Sequence, residues 1–120
     1  MIIEKIKREI RDVVDFPKPG IVFKDITPIM LNPTLSKEIV AHLTEQFKNK
    51  GITKIAGIES RGFLFGYPLA MELGVPFVMI RKSGKLPYHK INHSYDLEYG
   101  SATIEMHVDA VNESDNVLIH

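Results

Sequence analysis

Apolar residues recur at every third or fourth position in two parts of the first half of the chain. This period is that of an amphipathic α-helix, so the sequence predicts helices over residues 2–15 and about 34–49. Pro17 closes the first helix, because proline cannot continue a helix. Gly51 closes the second, since a glycine just beyond the last turn is a common helix stop.

The pattern then changes to short apolar runs. The runs "KIAGI" (54–58) and "VPFVMI" (75–80) have the length of buried strands, and they flank a helical segment at 62–73 that Gly74 would end. A strand, a helix and a strand with short joins form a βαβ unit, whose strands are parallel. The run "NVLIH" (116–120) opens a further strand, apolar on both faces like a central strand covered by helices. The sequence therefore predicts an α/β fold with a parallel sheet flanked by helices.

Less regular segments lie between these elements. The segment "IVF" (21–23) is short and extended, whereas "DITPIMLNP" (25–33) and "RKSGKLPYHKINHS" (81–94) have no period and are predicted to be loops. The segments "YDLEY" and "ATIEMHV" flank Gly100 and Ser101, a pair with glycine first that is typical of a two-residue hairpin turn. We therefore expect a β-hairpin after the second loop.

Composition narrows the class of protein. The chain has 120 residues with 15 basic and 15 acidic side chains, and it contains no cysteine. This length fits one domain over residues 1–120. The balanced charge gives no field that would attract nucleic acid or a membrane, and the lack of cysteine excludes disulfides and thiolate metal sites. The N-terminal segment is too charged for a signal peptide and no apolar run approaches the roughly 20 residues of a membrane span, so a cytoplasmic location is expected.

Positive charge is concentrated in the segment 81–94, which contains no acidic residue. Of the five Lys and Arg residues after position 60, four lie here: Arg81, Lys82, Lys85 and Lys90. The segment leaves the carboxyl end of a predicted parallel strand, where ligands bind in open α/β sheets. It is therefore either a solvated surface loop or a mobile loop that binds an anion.

A second cationic position precedes the helix at 62–73. Arg61 lies where the strand 54–58 gives way to that helix. The N-terminus of a helix presents unpaired N–H groups and the positive end of its dipole, and a guanidinium binds phosphate through two parallel hydrogen bonds. The two cationic regions would share one edge of the sheet, which favours a phosphate-bearing ligand. Alternatively, Arg61 forms an ion pair with Glu59.

Two further sets of side chains could carry chemistry. Asp96 and Glu98 share one face of a predicted strand, so one of them could move a proton at the cationic site, or both could lie on a solvent face. His89 and His93 have the spacing of a metal pair on a helix. They lie in a predicted loop after Pro87 with no third ligand near, so we predict no metal-ligating residue.

Three long segments together carry a family resemblance. The segments "DFPKPGIVFKDITPIM", "IAGIESRGFLFGYPLAMELGVPFVMIRKSGKLP" and "SYDLEYG" closely resemble adenine phosphoribosyltransferases, and the match extends from about residue 15 to residue 120. The resemblance implies a phosphoribosyltransferase-type sheet with a β-hairpin flexible loop that closes over the substrates. It also implies a homodimeric purine-salvage enzyme that makes AMP and pyrophosphate from adenine and phosphoribosyl pyrophosphate (PRPP), with Mg²⁺ bound together with PRPP.

The resemblance also implies which residues hold the diphosphate. "SRG" matches the family's pyrophosphate loop, in which the bond between Ser60 and Arg61 would be a cis peptide. "RKSGKLP" matches a segment that reaches pyrophosphate, often across the dimer interface. The implied contacts to PRPP are Ser60, Arg61, Gly62, Arg81, Lys82, Lys85 and, in the flexible loop, Tyr99.

The base and the proton transfer are assigned in the same way. "VFKD" matches the adenine pocket, so Phe23 would stack on the base while Val22 and Lys24 would offer mainly backbone groups. Many members of the family carry arginine where this chain has Lys24. Glu98 is the implied general acid/base at the purine ring nitrogen. Positioning and charge neutralisation do most of the work in displacing a diphosphate.

One family element lies beyond His120. In the family, two acids and a Gly/Thr-rich turn follow the strand that reads "NVLIH" here. The sequence is therefore expected to correspond to the first two-thirds of the enzyme, with the C-terminal part of the fold missing. Two alternatives stay open: a non-catalytic module of the same fold that senses a purine or PRPP, and an inactive fragment. Glu98 favours the enzyme over the sensor, because a sensor needs no acid/base.

Overall fold

A computed structural model describes residues 1–97 and 100–120. They form two compact units, Met1–Leu43 and Thr44–His120. No helix in the described part of the chain is long and apolar enough to cross a membrane. The expectation of one domain over residues 1–120 stays a prediction.

The first unit combines short helices with a two-stranded hairpin. Its elements are α1 (Ile2–Glu9), β1 (Arg11–Val14), β2 (Val22–Asp25), α2 (Thr27–Met30) and most of α3 (Pro33–Phe47). Strands β1 and β2 are antiparallel, with Val13 opposite Phe23. The buried side chains of this unit belong to Ile29, Leu35 and Ile39.

Two predictions for this unit are wrong at their boundaries. The helix predicted over residues 2–15 ends at Glu9, and residues 11–14 form β1 instead. Val13 and Val14 fit the helical spacing, but β-branched residues favour strands and here they find backbone partners on β2. The loop predicted over residues 25–33 contains the short helix α2, with proline in its first turn.

The second predicted helix is confirmed as α3. It begins at Pro33 and ends at Phe47, two residues before the predicted end. The Asn32 carboxamide oxygen accepts a hydrogen bond from the Leu35 amide at 3.0 Å, which caps the first turn. Gly51 has a φ of 67°, a left-handed conformation that suits glycine.

The second unit is built on a five-stranded sheet in the order β5-β6-β4-β3-β7. The strands are β3 (Lys54–Ile58), β4 (Phe77–Lys82), β5 (Lys90–Leu97), β6 (Gly100–His107) and β7 (Val117–Ile119), and the helix α4 (Arg61–Leu73) joins β3 to β4. Strand β3 is parallel to β4 and to β7, which confirms the predicted βαβ unit and the third parallel strand. Strand β6 is antiparallel to β4 and β5, so the sheet is mixed.

The prediction of one long loop over residues 81–94 is wrong. Strand β4 continues through Lys82 and β5 begins at Lys90, so only residues 83–89 lie outside the sheet. All eight residues of β5 are exposed, and a strand that buries neither face has no hydrophobic alternation to reveal it. Its backbone is ordered by pairing with β6.

The two strands of the predicted hairpin correspond to β5 and β6, but β5 begins five residues earlier than predicted, residues 98 and 99 lie outside the described part of the chain, and Gly100 and Ser101 do not form the turn. Gly100 and Ser101 belong to β6, where they pair with Leu97 and Asp96 of β5. Gly100 has a φ of 113°, which accounts for a glycine at the start of the strand rather than within a turn. Gly74 takes the predicted role at the end of α4, with a φ of 69°.

Candidate active site

Glu59 joins the carboxyl ends of the parallel strands β3 and β4. Its Oε1 lies 3.0 Å from Nη2 of Arg81, and its Oε2 accepts a hydrogen bond of 2.7 Å from the Lys82 amide. The Glu59 amide in turn donates to the Ile80 carbonyl at 2.8 Å. Three contacts therefore fix the first residue after β3 against the last residues of β4.

These contacts set the charge state of Glu59. The hydrogen bond from Arg81, followed by that from the Lys82 amide, holds the pKa of the Glu59 carboxyl below its ordinary value of 4.5. The carboxylate is therefore ionised at neutral pH and neutralises part of the charge of Arg81. Glu59 thus explains why an acid stands beside the cationic residues of this junction: it fastens two strand ends together.

Ser60 and Arg61 follow at the start of α4. Both residues are exposed, and the Ser60 carbonyl accepts a hydrogen bond of 3.0 Å from the Phe63 amide in the first turn. The contacts of the Glu59 carboxylate described above are made with β4. They are compatible with a role of Arg61 in binding an anion. The first turn of a 13-residue helix also brings its dipole to this place.

The cis peptide of this junction lies one residue earlier than expected. It joins Glu59 to Ser60, not Ser60 to Arg61. Ser60 already has helical backbone angles, with φ −107° and ψ −20°, and Arg61 is the first residue of α4. The bond between them therefore belongs to the regular trans backbone that a helix requires.

Gly62 is buried at the contact between α4 and the sheet. A Cβ atom at this position would overlap the carbonyl oxygen of His120 and would lie 3.1 Å from the backbone of Gly57. Packing alone therefore requires glycine here. The implied contact of Gly62 with a diphosphate concerns its backbone only, because there is no side chain to offer.

Two further glycines, which sequence reasoning missed, shape the same contact. A Cβ atom on Gly57 would lie 2.5 Å from Cζ of Phe77, and one on Gly66 would lie 2.8 Å from Cε1 of that ring. The Phe77 ring also meets Phe63 and Tyr67 edge to face, with centroids 5.8 and 5.6 Å away. The signal was present in the spacing of Gly62 and Gly66, which places both on one face of α4.

The turn at the end of β4 carries exposed cations. Lys82 and Lys85 are both exposed, and the Lys85 amide donates to the Lys82 carbonyl at 3.3 Å. Gly84 has a φ of 84°, a left-handed conformation that glycine adopts readily. Nη1 of Arg81 reaches the Lys85 carbonyl at 3.4 Å, so Arg81 holds both Glu59 and this turn.

A buried acid beneath this turn was also missed. Glu105 of β6 is 4% exposed, and its Oε1 accepts a hydrogen bond of 2.6 Å from the Gly84 amide. The Ser83 amide donates to the Thr103 carbonyl of the same strand at 3.2 Å. No short-range pattern reveals this role, because Gly84 and Glu105 are 21 positions apart; the only local signal is an acid between Ile104 and Met106.

The residues implied for the adenine pocket lie together on β2 of the first unit. The ring of Phe23 meets that of Phe16 edge to face, with centroids 5.2 Å apart. Val22 is half exposed. Lys24 donates to Oδ1 of Asp12 at 2.5 Å, so its ammonium group is held by the neighbouring strand β1. The backbone of β2, rather than the Lys24 side chain, is the part that a base could contact.

Asp25 anchors the end of the same strand. Its Oδ1 accepts hydrogen bonds from the amide and hydroxyl of Thr27 at 2.9 and 2.8 Å, and Nη2 of Arg11 lies 3.1 Å from its Oδ2. The bond from the Thr27 amide is the main cause that lowers the pKa of the Asp25 carboxyl. These contacts fix the passage from β2 into α2 and so the position of Phe23.

The remaining predictions concern the acids of the hairpin, its tyrosine and the histidine pair. Glu98 and Tyr99 lie outside the described residues. Asp96 is exposed on β5, and His93 is exposed on the same strand, opposite Ile104 of β6. Within residues 1–97 and 100–120, no three His, Cys, Asp or Glu side chains are grouped so as to hold a metal ion.

The sequence of the chain is similar to those of adenine phosphoribosyltransferases. No family model matches the chain. The chain is 51% identical over 117 residues to the adenine phosphoribosyltransferase of Haemophilus ducreyi, a match that covers 98% of this chain and 65% of that protein. The chain thus spans about 65% of the length of the curated relatives it matches.

Solved structures agree in fold. The adenine phosphoribosyltransferase of Thermoanaerobacter pseudethanolicus superposes with a TM-score of 0.93 at 45% identity, over 99% of this chain and 69% of that one. The Saccharomyces cerevisiae enzyme, solved in complex with adenine and an imino-altritol bisphosphate, gives a TM-score of 0.89 at 41% identity, over 98% and 69% of the two chains. The mixed sheet flanked by helices is therefore the fold of these proteins.

Proposed function

The chain belongs to the adenine phosphoribosyltransferase family, and we propose that it transfers the phosphoribosyl group of PRPP to adenine in purine salvage. In this reaction the bond between the ribose C1′ and the diphosphate oxygen breaks, and a bond from a purine ring nitrogen to C1′ forms. The products are AMP and pyrophosphate, and the nitrogen loses its proton. The protein must chiefly stabilise the negative charge that develops on the leaving diphosphate in the transition state.

The observation that carries the proposal is the fastening of two cationic strand ends by Glu59. Its contacts with Arg81 and the Lys82 amide, at 3.0 and 2.7 Å, bring the segment that begins at Ser60 beside the turn that begins at Lys82. Ligands in open α/β sheets bind at this edge. A diphosphate has the charge and the number of acceptor oxygens that such an edge can satisfy.

The groups proposed for the diphosphate fall into two kinds. Arg61, Lys82 and Lys85 carry exposed side chains, so their charges can meet the ligand directly. Ser60 and Gly62 offer a hydroxyl and backbone amides at the start of α4. Arg81 belongs to the same set, but its guanidinium already holds Glu59, so its first effect on the ligand is to keep the two strand ends in place.

The groups proposed for the base belong to β2. We assign stacking on adenine to Phe23, and hydrogen bonding to the backbone of Val22 and Lys24. The edge-to-face contact between Phe16 and Phe23, and the anchoring of Asp25 by Thr27, support a fixed position for the Phe23 ring. The relative solved with adenine at 41% identity supports the choice of base.

The proton transfer is assigned to Glu98, with Tyr99 as a neighbouring contact to PRPP. A carboxylate within reach of the purine nitrogen would take its proton as the bond to C1′ forms. These two assignments rest on the match of "SYDLEYG" to the family.

Magnesium is proposed to enter together with PRPP, bound to phosphate oxygens. Among the described residues no three His, Cys, Asp or Glu side chains are grouped so as to hold a metal ion, and we assign no protein ligand to the magnesium. We further propose that the protein is a homodimer in the cytoplasm and that it has no nucleic-acid or membrane partner.

The test is AMP formation by the full-length protein from adenine and Mg²⁺–PRPP, with pyrophosphate measured as the second product. We expect adenine to be used and hypoxanthine and guanine to be used far less. Binding of adenine and PRPP without turnover would support the sensing module instead. Binding of neither ligand would contradict both functions.

A further inference from the structure

Glu105 is the one charged residue that is buried within the described part of the chain. It lies on β6, opposite Arg81 of β4 on one side and Asn92 of β5 on the other. A polar side chain that is removed from water must be hydrogen-bonded, because an unpaired buried polar group is costly. Its closest partner is the Gly84 amide, 2.6 Å from Oε1.

We propose that Glu105 is a positioning residue, which holds the turn from Lys82 to Lys85 in the shape that presents its cations to a diphosphate. The proposal rests on the proposed function of that turn. Glu105 cannot touch the ligand itself, because it lies beneath the turn and its carboxylate faces a backbone amide. It acts through Gly84, the residue between the two lysines that has left-handed backbone geometry.

The turn is fastened from two sides by two carboxylates. Glu59 accepts the Lys82 amide at 2.7 Å, and Glu105 accepts the Gly84 amide at 2.6 Å. The Ser83 amide between them is bound to the Thr103 carbonyl at 3.2 Å. Three successive amides are thus held by three acceptors, and the side chains of Lys82 and Lys85 are left exposed.

The hydrogen bond from the Gly84 amide matters most, because glycine by itself does not fix the conformation of the turn. Glycine adopts left-handed and right-handed conformations about equally well, so a turn around it can change shape unless another group selects one form. The buried side chain of Glu105 makes that selection through its hydrogen bond of 2.6 Å from the Gly84 amide. Without it the Gly84 amide would have no strong acceptor on β6, and the spacing of the two ammonium groups would vary.

The test compares three variants of the full chain, with inorganic pyrophosphate as the probe. Glu105→Gln keeps an acceptor oxygen for the Gly84 amide, whereas Glu105→Ala removes it. Asp115→Ala is the matched control, because Asp115 binds Lys54 at 2.9 Å and the Asn112 amide at 2.9 Å, away from this turn. Pyrophosphate and adenine affinities are measured by calorimetry, and exchange of the Gly84 amide proton by NMR.

We expect Glu105→Ala to weaken pyrophosphate binding about tenfold or more, since small displacements of binding groups have effects of this size. Adenine affinity should not change. Glu105→Gln should restore most of the affinity, and exchange of the Gly84 amide should be fast only in Glu105→Ala. Asp115→Ala should resemble the wild type in both measurements, even if it is less stable.

Equal pyrophosphate affinity in Glu105→Ala and the wild type would overturn the proposal, as would an equal loss in Asp115→Ala. If the wild type binds no pyrophosphate, the proposed function of the turn fails. The exchange measurement then still decides whether Glu105 holds Gly84: slow exchange in Glu105→Ala would show that it does not.

Discussion

Glu59 and Arg81 are 22 positions apart in the sequence, and they form an ion pair of 3.0 Å that closes the ends of two parallel strands. The pair is largely shielded from solvent, with 14% of the Glu59 side chain and 28% of the Arg81 side chain exposed. Removal of one partner would leave the other charge poorly compensated. The pair therefore determines both the shape of this edge and its response to acid.

The first prediction concerns that response. Because the folded state lowers the pKa of Glu59, ionised Glu59 stabilises the fold above its ordinary value of 4.5, and the contribution disappears as the pH falls through the lower folded value. The free energy of unfolding should therefore decrease as the pH is lowered below about 5. Glu59→Gln should make this decrease smaller, as measured by urea denaturation at a series of pH values.

Asp115 provides the comparison. Its pKa is also lowered, chiefly by the hydrogen bond from the Asn112 amide, so Asp115→Asn should reduce the acid dependence by a separate amount. The two effects should add in the double variant, because the two sites share no described partner. An acid dependence that Glu59→Gln leaves unchanged would show that the ion pair does not couple folding to protons.

The second prediction concerns the glycine contact beneath α4. A Cβ atom on Gly57 would lie 2.5 Å from the Phe77 ring and 2.6 Å from the Gly62 carbonyl, so Gly57→Ala should lower the free energy of unfolding by about 1–3 kcal/mol. In the background Phe77→Leu the ring is absent and part of this loss should disappear. Thermal or urea unfolding of the four proteins gives the coupling directly. The same loss in both backgrounds would mean that the ring is not the obstacle.

The third prediction concerns proton transfer. Glu98→Gln should lower kcat about 100-fold or more while adenine affinity changes little, because general acid/base groups act in the transition state. Asp96→Asn tests the alternative, because the sequence also placed Asp96 on the same strand face as Glu98. Steady-state kinetics of both variants, with the exposed Glu113→Gln as control, assign the role. Near-normal turnover in Glu98→Gln would remove Glu98 from the mechanism.

Local patterns predicted the βαβ unit well. The runs at 54–58 and 75–80 are apolar enough to indicate buried strands, and they form the parallel pair β3 and β4. Strand β5 could not be predicted in this way, because all its residues are exposed and only its pairing with β6 orders it. The helix predicted over residues 2–15 was too long because a misleading pattern was present. Val13 and Val14 fit the helical period, while their partners on β2 were not visible in the local sequence.

The charged residues of the candidate site could be predicted from the sequence, but the hydrogen bonds and packing contacts that hold them in place could not. The cations from Arg81 to Lys85 stand out in a neutral chain, and their position after a strand end follows from the βαβ pattern. The contacts of Glu59 and Glu105 join residues that are 21 to 23 positions apart, so no spacing rule could supply them. The packing role of Gly62 also depends on His120, more than 50 positions away.

Our central proposal is that β2 holds the base and the ends of β3 and β4 hold the diphosphate. It is tested most directly by the affinities of adenine and of Mg²⁺–PRPP for Phe23→Ala and Arg61→Ala, with the exposed Lys37→Ala as control. Loss of a base stack is worth about 1–3 kcal/mol, and loss of a hydrogen bond to a charged group about 1.5–3 kcal/mol, so each affected affinity should fall roughly 5- to 150-fold. We predict that Phe23→Ala loses adenine affinity and keeps PRPP affinity, and that Arg61→Ala does the reverse. Equal losses of both ligands in each variant, or PRPP binding unchanged by Arg61→Ala, would contradict the account.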